Sequence, residues 1–383
     1  MSPSAPTLSA PPAVRPCIEA IFHSGDPPVR DQTSLRTPLA LAAAALLSST
    51  PVLAQVTISG YVDAALEHIS SGGKTLNRVS SGGLTTSRLE FTAKEDLGNG
   101  LSAKIRHEMI IKPDAGTMDA NSRETYVQLA HKDWGDINLG RLNLSSYNLY
   151  GYADPSYGSA YSPVNNVMVF YAPWRESNAI SFNSAKFGGG FQVRATITAG
   201  KEESDNSKNG RVISLGASYW NGPLFLSIAN DIQNKTNIWD KAKTKNETSR
   251  DTYISGVYRI GQFDLTAILH DYNGYYAYPP YVGFSTHGNS LQLGTRISIN
   301  DQIRLFASVV RRNDATGALA DATGATLGAT YHFSKRTTAY ATYGTVRNGS
   351  PGSAGAEYPI DWGLTPKSGE NPEGYMFGLR HAF

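Results

Sequence analysis

Cysteine is all but absent from these 383 residues. Cys17 is the single one and lies in the first segment, so the body can hold neither a disulfide nor a cysteine-ligated metal. Net charge is also nearly absent: at +2 the chain has no nucleic-acid footprint. No long apolar run is present to span a bilayer as a helix, which takes roughly 20 residues. The run PLALAAAALL stops at residues 38–47. Catalytic signatures are missing too. Eight histidines are scattered with no H-x-x-x-H spacing, no G-x-S-x-G element occurs, and no phosphate-cradling loop follows a strand. An enzyme would have to recruit His107, His270 or His332, which no motif brings together with a nucleophile and an orienting partner. No metal or cofactor is implied.

The short apolar run has a different use. Arg30 and Arg36 precede it, and Ser48, Ser49, Thr50 and then Val52-Leu53-Ala54 follow it. Basic residues, an apolar core and small residues before a break make a secretory signal, with cleavage expected after Ala54 and a mature start at Gln55. The Pro- and Ser-rich stretch ahead of it is unlike a signal's basic region and reads as an overlong N-terminal extension. Residues 1–54 are therefore set apart as a signal peptide with an extension, and 55–383 as one domain. The first segment holds three arginines and three acids, so its removal leaves the net charge unchanged.

What the body does contain is period two. Val56, Ile58, Gly60, Val62 and Ala64 alternate with Thr57, Ser59, Tyr61 and Asp63. Leu89, Phe91 and Ala93 alternate with Arg88, Glu90, Thr92 and Lys94, and Phe263, Leu265, Ala267 and Leu269 with Asp264, Thr266 and His270. Such alternation means strand, and sustained helical period is almost missing. Tight turns such as LGNG (97–100), FGGG (187–190), WNGP (220–223) and FSKR (333–336) alternate with longer connections at 70–85, 111–121, 143–173, 201–210, 233–250, 273–288, 313–323 and 348–373. The fold class is all-β, with about sixteen antiparallel strands. Short turns at one end and long loops at the other are the pattern of an outer-membrane β-barrel.

A soluble sandwich would share the alternation. Small residues on the apolar parity pack such a core poorly. Clustered Arg, Lys and Glu on the other parity suit a wide aqueous interior, which a barrel of 16–18 strands provides. The chain's end, GYMFGLRHAF, fits the same scheme: Tyr375, Phe377, Leu379 and Phe383 would face lipid on the closing strand. Met376, on the other parity, would face the wet lumen.

Several stretches carry a resemblance: VTISGYVDAAL (56–66), TSRLEFTAKEDLGNGLSAKI (86–105), INLGR (137–141), FSKRTTAYATYG (333–344) and GLRHAF (378–383). With these the chain resembles the general diffusion porins of Gram-negative outer membranes, of the betaproteobacterial type, over essentially all of residues 55–383. The resemblance implies a homotrimer of sixteen-stranded barrels embedded in outer-membrane lipid. It also implies passive diffusion of small hydrophilic solutes and ions, and a C-terminal strand recognised by the barrel-assembly machinery.

The resemblance further implies that the third long loop folds inward as a constriction. Here that segment is 143–173, with six tyrosines and Phe170, which need a surface to pack on. By motif, Arg88, Arg123 and Arg175 would form the basic side of the constriction, and Asp154, Glu108 and Glu176 the acidic side. Arg123 shares parity with Val127 and Leu129, so it needs a bulge or a strand end to reach the pore. With Asp154 the loop's single carboxylate, weak anion preference is expected. The tyrosines keep open a substrate-specific channel, which would transport saturably.

Overall fold

A computed structural model of the chain describes residues 55–119, 123–169, 172–202, 204, 206–236, 246–274, 287–316, 320–349, 357–361 and 363–383. The expected signal segment, residues 1–54, lies outside them. The strands in order are β1 (Gln55–Ser71), β2 (Lys74–Ser81), β3 (Arg88–Gly98), β4 (Leu101–Lys112), β5 (Thr117–Met118) and β6 (Thr125–His131). They continue with β7 (Gly135–Asn143), β8 (Arg175–Ser184), β9 (Phe191–Thr198), β10 (Val212–Asn221), β11 (Leu224–Thr236) and β12 (Asn246–Ile260). The last six are β13 (Phe263–Asn273), β14 (His287–Ser298), β15 (Ile303–Asp314), β16 (Ala322–His332), β17 (Thr337–Asn348) and β18 (Glu373–Ala382). Helix α1 (Ser145–Ala153) and a π-helical turn (Val164–Met168) lie between β7 and β8.

Two strands are accessory. β2 folds back on the upper half of β1, whose lower half pairs with β3, and β5 is a two-residue arm on β4. The remaining sixteen pair antiparallel with their neighbours in sequence and close on themselves. β18 meets β1 with Asp63 opposite Arg380 and Leu66 opposite Phe377. Gly60 and Phe383 exchange both backbone hydrogen bonds at 3.2 Å. Closure leaves no unpaired edge, as a bilayer demands.

Strands run further into the long-loop end than alternation suggests. The expected connections at 70–85 and 233–250 are largely hairpin: β1 continues to Ser71 and returns as β2, β11 runs to Thr236 and β12 begins at Asn246. Beyond the apolar band, backbone pairing continues without needing an apolar face, so polarity stops marking the strand before the hydrogen bonds do.

Outward-facing positions are apolar and bare. Ile105, Leu139, Ile180, Leu215, Ile228, Leu269, Leu293 and Leu327 are among many large side chains left exposed around the wall. No soluble monomer leaves so continuous a surface open, because apolar patches beyond a few hundred Å² are rare in water. Phe187, Phe191, Tyr219, Tyr331 and Phe333 gather beside the tight turns, with Phe191 and Tyr219 ring centres 4.6 Å apart. That ring of aromatics marks a lipid–water boundary.

The interior face divides in two. On β13, β16 and β17 inward residues are buried, whereas on β3, β4 and β6 they stay partly open to water. The 143–173 segment covers the first group and leaves the second lining the open path.

Candidate functional site

Beyond β7 the chain turns inward. The Asn143 amide donates to Glu124 Oε1 at 3.1 Å, and the Ser146 hydroxyl donates to Asp231 on the facing wall. Helix α1 packs across β10, β11 and β12. Two arginines then fix carbonyls of the segment. Arg296 Nη2 donates to the carbonyls of Tyr152 and Asp154, at 2.5 and 2.9 Å, with its guanidinium 4.0 Å from the Tyr157 ring centre. Arg312 Nη1 donates to Met168 O at 2.7 Å and stacks on Tyr272 at 3.9 Å. Cations at the C-terminal ends of helical turns are stabilised by the unpaired carbonyls there. Gly294 and Gly324 make room: a Cβ at either would lie 2.4 Å from Pro155 Cγ or 2.8 Å from Pro163 Cβ.

Tyr150, Tyr152 and Tyr161 are turned to the wall, whereas Tyr157 is exposed. Tyr150 meets Tyr253 at 4.8 Å, Tyr152 meets Trp220 and Phe225 at 4.7 Å, and Tyr161 is fully buried. Burial pushes the Tyr150 and Tyr161 hydroxyls well above the usual phenol range, so both stay neutral. Phe170 and Tyr171 lie outside the described residues.

Asp154 does not line the open path. It is 1% exposed. Its Oδ1 accepts from the Ser156 amide and hydroxyl at 3.0 and 2.9 Å, and its Oδ2 from the Gly158 amide and Ser162 hydroxyl at 2.9 and 2.6 Å. An aspartate ahead of Pro155-Ser156 folds back on its own turn, and that local preference overrides any role toward the pore. The segment's exposed positions Asn148, Tyr157 and Gly158 carry no charge, and Asp154 lies buried behind them.

Opposite stands a charged wall. Glu108, buried between arginines, takes Arg88 Nε at 2.7 Å on one oxygen and Arg123 Nε at 3.1 Å on the other. Arg106 reaches Glu90 at 2.7 Å, Glu124 at 2.8 Å and Glu108 at 3.8 Å. Arg123 reaches the lumen through a bulge. Glu108 donates its amide to Glu124 O at 2.8 Å and accepts from the Arg123 amide at 2.7 Å, so two residues oppose one. Arg175 donates Nε to Asn143 at 2.9 Å and lies over Tyr147, and its Nη2 is buried without a protein partner. Glu176 sits apart from this group, opposite Leu142, where Gln233 donates to it at 3.4 Å.

Sequence reading missed Arg106, Glu90 and Glu124, which complete the wall. Arg106 shares strand and parity with Glu108, and that signal was there to use. Arg78, bridging Glu67 and Asp361 at 2.6 Å each, joins positions 283 apart, which no local pattern connects. The C-terminal side chains Tyr375, Phe377, Leu379 and Phe383 all lie on the exposed outer face. Met376 is a correction: it has inward parity but is 0% exposed, packed with Tyr340 and Leu84 in a dry cluster rather than facing water. Among the described residues no group of three or more potential metal ligands occurs.

An uncharged edge facing four guanidinium groups and three carboxylates makes a narrow path with a slight cationic excess. Arginine keeps its charge at any working pH and offers a planar fork to oxyanions. A family profile described as Gram-negative porin matches residues 40–351. Outer membrane porin protein 32 of Delftia acidovorans is 27% identical over 370 residues, covering 90% of this chain and 99% of the relative. Among solved structures, an anion-selective porin from Comamonas acidovorans superposes with a TM-score of 0.72 at 21% identity, over 86% of this chain and 100% of that one. The trimer form of OmpT from Vibrio cholerae matches with a TM-score of 0.61 at 19% identity, over 86% and 100%.

Proposed function

Because the chain belongs to the Gram-negative porin family, and so forms an outer-membrane channel rather than an enzyme, we propose that its path is weakly anion-preferring, with Arg88, Arg123 and Arg175 on the basic side. One observation carries this reading. The loop's single carboxylate, Asp154, is buried and hydrogen-bonded within its own turn, so no carboxylate is exposed on that edge opposite the arginine wall. Of the acids read as its counterpart, Glu108 is clamped between arginines and Glu176 lies apart. General diffusion, not guidance of one solute class, is supported by Tyr150, Tyr152 and Tyr161 packing on the wall instead of lining the path. The assembly we propose is a homotrimer, in line with the neighbour solved as a trimer, delivered by the barrel-assembly machinery through its C-terminal strand.

Planar-bilayer recording in a KCl gradient tests the selectivity. A unit charge about 10 Å from an ion in water is worth about 0.4 kcal/mol, roughly a factor of two per arginine. Each charge acts on chloride and potassium in opposite directions, so Arg88→Ser with Arg175→Ser should lower the chloride-to-potassium permeability ratio by up to about sixteenfold if the two add, and by less where salt screens them. The wild-type preference should shrink as salt rises, since the Debye length falls from about 8 Å at 0.15 M to about 3 Å at 1 M. A wild-type channel that favours K⁺, or a double variant with an unmoved zero-current potential, would remove these arginines from the selectivity filter.

A further inference from the structure

Beneath the inward loop, at the tight-turn end, the lumen widens into a vestibule of about 640 Å³. Four arginines line or border it: Arg259, Arg296, Arg304 and Arg380. Two carboxylates answer them. Asp264 is held by Arg259 through contacts of 2.6 and 3.0 Å and lies 3.8 Å from Arg296. Asp63, across the closing seam from Arg380, is occupied by the Leu84 and Thr85 amides and the Tyr340 hydroxyl. Four cations against two anions leave an excess of two.

The excess is localised. Arg296 spends its donors on loop carbonyls, and Arg259 on Asp264. Arg304 makes no ion pair among the described residues, and Arg380 Nε is buried without a protein partner. Tyr61 lies between Arg88 at 4.6 Å and Arg380 at 5.6 Å, so guanidinium groups run continuously from the constriction into the vestibule. Beside the arginines the lining is mixed: Leu84, Pro155, Tyr157 and Phe306 give it an apolar side, and Gln262, Ser298, Thr330 and His332 a polar one.

We propose that this vestibule is a second binding site, separate from the constriction, for organic anions that join a carboxylate to a flat apolar body. A carboxylate accepts from Arg304 and Arg380 in a forked geometry that a halide cannot use. The apolar body covers Tyr157 and Leu84, which a small hydrated ion leaves wet. The volume matches sites that enclose a whole small molecule, roughly 300–1,000 Å³. The proposal rests on the channel reading but not on the sign of selectivity at the constriction.

Current block in planar bilayers tests it with three probes: benzoate, acetate with the same charge and no ring, and benzyl alcohol with the ring and no charge. Benzoate should reduce conductance saturably while the other two do not. Arg304→Ser, which breaks no ion pair, should raise the half-blocking benzoate concentration about tenfold, the loss of one charge-assisted hydrogen bond. Tyr157→Leu keeps every charge and should raise it about threefold through the lost ring contact. Acetate blocking as well as benzoate, block indifferent to Arg304→Ser, or block that moves only with Arg88→Ser and Arg175→Ser would each overturn the site. A channel found to prefer K⁺ while benzoate block still depends on Arg304 would sink the selectivity reading and sustain this one.

Discussion

Glu108 is the most consequential single side chain on the wall because three guanidinium groups depend on it. Arg88, Arg123 and Arg106 lie 2.7, 3.1 and 3.8 Å from its oxygens. Glu108→Gln keeps the shape and removes the charge, leaving four arginines against two carboxylates. The expected result is opposite in sign to loss of the arginines: the chloride-to-potassium ratio rises in a KCl gradient. Stability should fall, because stripping one partner from a buried ion pair costs up to about 3–5 kcal/mol. Gels of the progressively heated protein would register that loss. Asp154 gives the contrasting case. Asp154→Asn loses acceptors for about half of its four donors, at about 1–3 kcal/mol for each buried group left unpaired. The channel should flicker more in single-channel traces as the loop loosens, while the zero-current potential stays put. A shifted potential would mean that the Asp154 charge reaches the pore after all.

At the scale of elements, the closing strand β18 separates parity from wetness. Its outward residues were legible, since period two across Tyr375, Phe377 and Leu379 leaves a strand no other way to face. Its inward residues were not. Alternation reports which side a residue takes, whereas what covers that side is decided by segments distant in sequence, here Leu84 before β3, Tyr161 between β7 and β8 and Ile360 before β18. Met376 accordingly lies dry against Tyr340, Tyr161 and Leu84. Two substitutions should fail differently. Phe377→Asp puts an acid against lipid, at less than the roughly 2–4 kcal/mol of a midplane Arg or Lys, and should lower the yield of assembled barrel in the outer membrane. Met376→Ala should assemble, then lose heat resistance through a cavity of about 2–5 kcal/mol. Membrane fractionation followed by heating gels distinguishes the two, and equal yield with equal heat resistance would contradict the assignment of faces. Arg123 belongs to the same lesson: parity required a bulge, and only the paired hydrogen bonds at Glu108 locate it.

For the molecule as a whole, strand number and the asymmetry of its ends were readable, because turn residues and alternation recur around the wall. The ion-pair network was readable only in pieces, since Arg78–Asp361 and Arg296 with Asp154 span the chain. Barrel closure also bears on where the mature protein begins. Gly60 is the last β1 residue bonded to Phe383, while Gln55 still pairs with Lys94 of β3. Residues 55–59 are therefore ordered strand, supported on one side only, and Val56 and Ile58 keep the outward parity of the apolar band. Cleavage after Ala54 would leave this half-paired strand intact from its first residue, with Val52 and Ala54 meeting the small-residue requirement of the peptidase. Cleavage even a few residues later would remove backbone partners of β3 and expose its edge at the membrane boundary. The expected mature N-terminus is thus Gln55, and intact-mass measurement of protein extracted from outer membranes checks it. A mass corresponding to a start at Ile58 or later would show that β1 needs less of its lower half than its pairing implies. A start before Ala54 would mean that the apolar run is not removed at the predicted position.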